Sequence, residues 1–240
     1  MLKIFRKVRQ NMLKNNKVTA YILYALGEII LVMIGILLAL QVNNWNEERK
    51  QKSELNNILR TISYDLETDT LVANRVIEYY EESQKSSKRI INREITMDNY
   101  KECPLCPAIV TLYRPLNAQT KGYELLKNYK SETSAQKDSL VINITQVYSL
   151  YLPVIEKSNE RLEDVVLDNL KEFQQFPFFV DWTQGNFTDE VISYFAESED
   201  FRKRVASHNI LASGNHLATV REYKRQATEI IKRIKTRLED

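Results

Sequence analysis

The 240-residue chain has few residues that break helices and few that bind metals or do redox chemistry: five glycines, five prolines, two cysteines and two histidines. Sandwiches, barrels and propellers need many turns, and phosphate-binding loops are rich in glycine, so this composition argues against all of them. Leu, Ile, Glu, Lys and Arg are abundant, which favours helices. Hydrophobic residues make up 43% of the chain, enough for a packed core. The composition therefore predicts an all-α protein.

Acidic residues are missing from the first 20 residues, although the chain as a whole is nearly balanced, with a net charge of +2. The cations of this leader are Lys3, Arg6, Lys7, Arg9, Lys14 and Lys17. From residue 44 onward the chain is slightly acidic. A nucleic-acid-binding protein concentrates basic residues on its folded part. The charge pattern therefore predicts no nucleic-acid partner.

Charge is also scarce in the stretch that follows the leader. Residues 21–42 contain one charged side chain, Glu28. At about 1.5 Å per residue a helix of this length spans about 33 Å, enough to cross a hydrocarbon core of about 30 Å. The apolar region of a secretion signal is shorter, about 7–15 residues, and precedes a cleavage motif that this sequence lacks. We therefore expect an uncleaved transmembrane helix over 21–42, bounded by the leader 1–20 and a body over 43–240.

The flanks of the span predict its orientation. The cationic leader precedes it, and the positive-inside rule places such a flank in the cytoplasm, with the body outside. Trp45 at the outer end, and Tyr21 and Tyr24 at the inner end, are expected at the membrane interfaces, where amphipathic rings are enriched. The leader either lies along the inner membrane surface as an amphipathic helix or forms a disordered basic anchor.

Glu28 lies about two turns into the span, where insertion scales assign a carboxylate a cost of about 2–3 kcal/mol. It reaches back to the headgroups, faces another helix, or belongs to an ion or proton path. The second interpretation is favoured because Glu28, Gly35 and Ala39 share one helix face. Small residues four positions apart allow close approach of two helices. The third is disfavoured because one span does not form a conduit alone.

Beyond the span, hydrophobic periodicity predicts an elongated bundle of about four helices and no second transmembrane segment. The expected elements are a long helix over 44–94, a loop over 97–115, a short helix over 117–130, a long helix over 134–175, an irregular aromatic stretch over 176–190 and a last helix over 199–238. Pro153 predicts a kink or break around Tyr151. Thr188 is the expected N-cap of a helix that begins at Asp189. Gly214 marks where the last helix would be interrupted.

Residues with catalytic or metal-binding chemistry are scarce in the body. Cys103 and Cys106 form a Cys-Pro-Leu-Cys motif, for which a disulfide is the leading interpretation outside the cytoplasm. Thiol–disulfide catalysis and metal binding are the alternatives, but the βαβ context of thiol catalysts is missing and zinc would need two more ligands. His208 and His216 are not at a ligand spacing. No cofactor, metal or catalytic residue is expected.

The N-terminal third resembles a known family. The segments FRKVRQNML and YALGEIILVMIGILLALQVNNWNEERK, with Gly27-Glu28, Ile34-Gly35-Ile36 and Gln41–Glu47, closely resemble a large family of bacterial membrane proteins common in the Bacteroidota, domain of unknown function 6090. LNNILRTISYDLETD and TKGYELLKN resemble later family segments more loosely. The resemblance implies a single-pass inner-membrane protein of a Gram-negative bacterium with a periplasmic helical domain. It implies no activity.

Three functions fit these expectations. The leading hypothesis is a non-enzymatic, membrane-anchored scaffold or accessory subunit that forms a homo-oligomer or joins a membrane protein partner in the lipid bilayer. The second is a periplasmic sensor that signals through a membrane partner and binds a small ligand near the aromatic stretch 176–187 and Pro153. The third is a thiol–disulfide oxidoreductase that uses Cys103 and Cys106.

Overall fold

The computed structural model describes residues 18–129 and 138–239. The leader predicted over 1–20 therefore lies outside the described residues as far as residue 17, and so does the side chain of Tyr21. The predicted start of a helix at Ser134 also lies outside them.

The described residues form helices and turns, and no β-strand occurs among them. In chain order the elements are α1 (Val18–Ile91), two 3₁₀ turns (Tyr100–Glu102 and Cys106–Ala108), α2 (Lys121–Asn128), α3 (Ser139–Phe173), α4 (Phe179–Thr183), α5 (Asp189–Glu197), α6 (Glu199–Asn209), a π-helical segment (Ile210–His216) and α7 (Leu217–Glu239). The all-α prediction is confirmed. The expected number of about four helices is too low, because turns divide the chain after Phe173 into several short helices.

The chain divides into two compact units, Met1–Glu54 and Leu55–Asp240. The described part of the first unit is the N-terminal part of α1. Its most apolar window is not buried by the protein, and α1 is the one helix among the described residues that is long and apolar enough to cross a membrane. Exposed apolar surface of this length is stable when lipid covers it. The first unit is therefore a candidate transmembrane helix.

The main core of the second unit is built from α1, α3 and α7. Leu59, Ile62 and Leu66 of α1 are fully buried, as their spacing predicts. The helices α3 and α7 contribute Ile144, Tyr148, Ile155, Leu162, Leu217, Val220, Tyr223, Ala227 and Ile234 to the same core. Burying one large aliphatic side chain stabilises a fold by about 1.5–3 kcal/mol, so these stripes are the main source of stability.

A second core lies around the aromatic stretch 176–187. Phe173 and Phe195 are buried at its centre, and Phe178 and Trp182 pack against them. Trp182 Nε1 donates a hydrogen bond of 2.9 Å to the Pro107 carbonyl. This bond connects the stretch to the loop that contains Cys103 and Cys106, here called the cysteine loop. The aromatic side chains of this stretch pack on one another and form a core. A ligand pocket beside the stretch stays a prediction.

Helix α3 continues through Pro153, so of the two outcomes predicted around Tyr151 the break does not occur. The kink stays a prediction. An interior proline removes one backbone hydrogen bond and costs about 3 kcal/mol. Tyr148 and Ile155 enter the main core on either side of Pro153, and this packing holds the helix together. The tertiary contacts therefore override the local rule.

Two predictions at the ends of helices are confirmed. The Thr188 side chain accepts a hydrogen bond from Val191 N–H and caps α5, which begins at Asp189. The interruption expected at Gly214 is the π-helical segment Ile210–His216. Such segments are rare and occur often at functional sites.

Candidate functional site

A groove of about 520 Å³ lies where two irregular helical segments meet. One wall is α3 around Pro153, and the other is the π-helical segment with the first turn of α7. The groove is lined by Pro153, Val154, Lys157, Ser158, Arg161, Leu211, Gly214, Asn215, Ala218 and Thr219. Small-molecule sites typically have volumes of about 300–1,000 Å³, so the groove is large enough for a small ligand.

Three features of the groove lower the stability of the helices that form it. Pro153 lacks a backbone N–H, and the π-helical segment departs from regular α-helical bonding. Glycine in a helix costs about 0.5–1 kcal/mol relative to alanine. Gly214 is not needed to avoid a steric clash, because an added Cβ would meet nothing within 4 Å. Departures of this kind are expected at functional sites.

The groove is positively charged. Lys157 and Arg161 line it, and none of the described residues that line it is acidic. Lys157 Nζ lies 2.8 Å from Glu160 Oε2 in an exposed ion pair. Arg161 has no ion-pair partner among the residues that the structure describes. Because the guanidinium is a planar fork of donors, Arg161 is suited to bind an anionic oxygen pair beside an apolar surface.

A hydrogen bond connects the groove to the core beneath it. Ser158 Oγ lies 2.8 Å from Nδ1 of His216, which is fully buried. The His216 ring packs edge-to-face on Tyr80 of α1, with ring centroids 5.1 Å apart. Burial lowers the pKa of His216 to about 4, because a charged imidazole is poorly solvated in the core, so the ring is neutral at pH 7. Two side chains thus link the groove wall to α1.

Two buried carboxylates on α1 hold the backbone at the start of α2. Asp65 Oδ2 accepts a hydrogen bond of 2.7 Å from Gly122 N–H, and Asp69 Oδ1 accepts one of 2.9 Å from Gln119 N–H. Asp69 also accepts a hydrogen bond from the Tyr223 hydroxyl. Burial raises the pKa of Asp69 to about 6, because desolvation disfavours the ionised carboxylate. The cluster is a polar contact between elements within the core.

Sequence reasoning missed this cluster. Its signal is that Asp65 and Asp69 are four residues apart and interrupt the apolar face that includes Ile62 and Leu66. In the sequence alone, these acids are indistinguishable from those on a solvated helix face. A buried acid is stable only when it finds donors, and these donors come from residues 50 to 154 positions further along the chain.

Cys103 and Cys106 are joined by a disulfide, with their Cα atoms 5.4 Å apart. Both residues lie in the second core, where Cys103 is 2% and Cys106 0% exposed. Reactive cysteines are partly exposed and lie in electropositive surroundings. The burial of both sulfur atoms therefore argues for a structural cystine.

The structure also places the remaining titratable candidates. His208 is fully buried, and burial lowers its pKa to about 4. It does not join His216 in a ligand set. Within residues 18–129 and 138–239, no group of three His, Cys, Asp or Glu side chains is arranged to hold a metal ion.

Glu28, Gly35 and Ala39 are all exposed on α1. A Cβ added at Gly35 would meet nothing within 4 Å, so this surface is open to lipid or to another helix. Trp45 is 66% exposed, and Tyr24 is half-buried. The roles of these residues as helix contacts and interface anchors stay predictions.

Comparison with known proteins identifies one family. The model described as "Family of unknown function (DUF6090)" matches residues 28–193. This range includes the candidate transmembrane helix from Glu28 onward and the α3 wall of the groove, and it ends before the π-helical segment. No curated protein and no solved structure matches the chain.

Proposed function

Because the chain belongs to the DUF6090 family, whose function is unknown, we propose a function from its own geometry: a non-enzymatic, membrane-anchored scaffold or accessory subunit that acts through protein–protein association. The N-terminal part of α1 would cross a bacterial inner membrane. The basic leader supports a cytoplasmic N-terminus, and the helical bundle would then lie in the periplasm.

The observation that carries this proposal is the face of α1 that holds Glu28, Gly35 and Ala39. All three are exposed, and the surface over Gly35 is open. A carboxylate within the bilayer is costly unless it faces a polar group or a partner helix. Gly35 and Ala39, four residues apart, allow a second backbone to approach closely. The partner is therefore a second copy of this chain or the helix of another membrane protein.

Substitution of Gly35 tests this association. We expect Gly35→Leu to abolish a complex that blue-native electrophoresis detects after gentle detergent extraction, because the larger side chain separates the backbones. Gly27→Leu is the matched control: its surface is equally open, but it lies about 80° away around the helix. A wild-type protein that migrates only as a monomer would contradict the proposal.

A second candidate function is supported by the groove. A periplasmic sensor needs a ligand site and a physical connection from that site to the membrane helix. The groove supplies the first, and the contacts from Ser158 through His216 to Tyr80 of α1 supply the second. Coupling requires an element whose state both ends influence, and α1 is the element that these contacts reach.

The third hypothesis, thiol–disulfide exchange, is weakened by the burial of Cys103 and Cys106. Exchange begins with attack of a thiolate on an accessible sulfur atom. We therefore expect the Cys103→Ser/Cys106→Ser protein to leave the thiol balance of its cell unchanged. A shifted balance would restore the oxidoreductase hypothesis.

A further inference from the structure

We propose that the groove between α3 and the π-helical segment binds a small organic carboxylate. The apolar body of the ligand would lie against Pro153, Val154 and Leu211, and its carboxylate would lie beside Arg161. This inference rests on the sensor candidate and names the chemical class of its ligand.

The apolar wall of the groove determines one half of the ligand. Val154 is 50% exposed and Leu211 is half-buried, so aliphatic surface faces water along the groove. Covering that surface is favourable through the hydrophobic effect. Space is available because Gly214 has no side chain and an added Cβ would meet nothing within 4 Å. The body of the ligand is therefore apolar and small.

The charges of the groove determine the other half. Glu160 pairs with Lys157, which leaves Arg161 as the uncompensated cation of the lining. One uncompensated cation matches a carboxylate, whereas a phosphate monoester with a charge of about −2 would need a second. The guanidinium fork binds a carboxylate in a bidentate manner. Asn215 lines the same groove, and its side-chain amide supplies neutral hydrogen-bond donors.

Binding of simple probes to the full chain in phosphatidylcholine nanodiscs tests the proposal. The probes are hexanoate, hexan-1-ol with the same apolar body, and inorganic phosphate, and isothermal titration calorimetry measures their dissociation constants. We expect hexanoate to bind at least about tenfold more tightly than hexan-1-ol or phosphate, as one charge-assisted hydrogen-bonded pair implies.

Three variants locate the site. Arg161→Gln changes an exposed head group and is expected to weaken hexanoate binding about tenfold. Gly214→Leu fills the groove and is expected to abolish binding. Lys171→Gln is the control, because Lys171 is also an exposed cation on α3 but does not line the groove. It should leave binding unchanged.

The outcomes distinguish failure of the carboxylate proposal from failure of the sensor function. Equal binding of hexanoate and hexan-1-ol, or an unaffected Arg161→Gln variant, overturns the carboxylate proposal and leaves a groove for neutral ligands. Absence of binding by all three probes overturns it as well. Hexanoate that binds without slowing amide hydrogen exchange around Tyr80 of α1 supports the carboxylate site and contradicts the sensor function.

Discussion

At the residue scale, Gly122 shows how closely α2 approaches α1. A Cβ on Gly122 would lie 2.6–2.8 Å from the Cγ1, N and Cα atoms of Ile62, two of which belong to the backbone and cannot rotate away. We expect Gly122→Ala to lower the free energy of unfolding by about 3 kcal/mol, because α2 must move and its hydrogen bond to Asp65 lengthens. Thermal unfolding followed by circular dichroism measures this loss.

Gly214→Ala is the control for that prediction, because an added Cβ there would meet nothing within 4 Å. Alanine is a better helix former than glycine by about 0.5–1 kcal/mol, so this variant should be slightly stabilised. Equal losses in the two variants would show that the contact with Ile62 does not determine the effect.

A second prediction at this scale concerns the buried carboxylate of Asp69. Its pKa is raised to about 6 in the folded state, so the folded protein binds the proton more tightly than the unfolded chain does. The resulting stabilisation is fully present below about pH 4, amounts to about 3 kcal/mol, and is lost as the pH rises through about 6.

We expect Asp69→Asn to lack this dependence while keeping an acceptor for Gln119 N–H. The variant should therefore lose less stability relative to the wild type at pH 7 than at pH 4. Unfolding midpoints measured across this range check the sign. A stability difference that does not change with pH would contradict the shift.

At the element scale, the loop between the two 3₁₀ turns depends on its disulfide. Closing a loop this short removes chain entropy worth about 2 kcal/mol from the unfolded state. We expect Cys103→Ala/Cys106→Ala to lose about that much stability, measured by urea unfolding, with no further effect of a reductant. In the wild type the reductant should cause the same loss.

Trp182→Phe removes the hydrogen bond to the Pro107 carbonyl and should lower the free energy of unfolding by about 1 kcal/mol, measured by the same urea unfolding.

Periodicity was sufficient for the long helices, since the spacing of Leu59, Ile62 and Leu66 on α1 predicted the buried face. Local rules failed where packing outweighed them. Pro153 did not end α3, because Tyr148 and Ile155 hold the helix in the core on either side. The aromatic stretch 176–187 became a core because its rings find partners contributed by the cysteine loop and α5. Neither outcome can be read from the segment alone.

The candidate groove could be predicted only in part. The sequence drew attention to Pro153 and to Gly214 separately, each as an irregularity in its own helix. Both line one groove, which brings together positions about 60 residues apart in the sequence. The charge of the groove was likewise hidden, because Lys157 and Arg161 are indistinguishable in sequence from cations on a solvated helix face.

At the scale of the whole molecule, we expect the change in stability between pH 6.5 and 4 to depend on two buried histidines, His208 and His216, opposed by buried Asp69. Burial lowers the pKa of His208 and His216 to about 4, so their contribution is present above about pH 6.5 and is lost as the pH falls through about 4. Each shift corresponds to about 3 kcal/mol. Protonation of Asp69 adds about as much stability over the same pH range as one histidine removes. The two histidine losses therefore outweigh the gain from Asp69. The unfolding temperature should therefore decrease as the pH is lowered from 6.5 to 4.

His208→Met tests this balance, because it removes one of the two losses and keeps an apolar side chain of similar size. Because one of the two histidine losses is absent, the stability of the variant should fall less on acidification, by about 3 kcal/mol. A wild-type midpoint that rises on acidification would mean that Asp69 dominates, and an unchanged profile in the variant would exclude a contribution from His208.

Orientation of the proposed transmembrane helix would also depend on the whole chain, because the leader and the body would compete for the cytoplasmic side. If the leader directs insertion, alkaline phosphatase fused after residue 240 should be active and green fluorescent protein at the same position should be dark. Replacing the six leader cations by glutamine should reverse both readouts in a fraction of the molecules. Replacing Lys203 and Lys232, which are exposed and far from the span in sequence, should change neither, since the rule acts within about 15–20 residues of a span. A bright fluorescent fusion with an intact leader would place the bundle in the cytoplasm and exclude a periplasmic function.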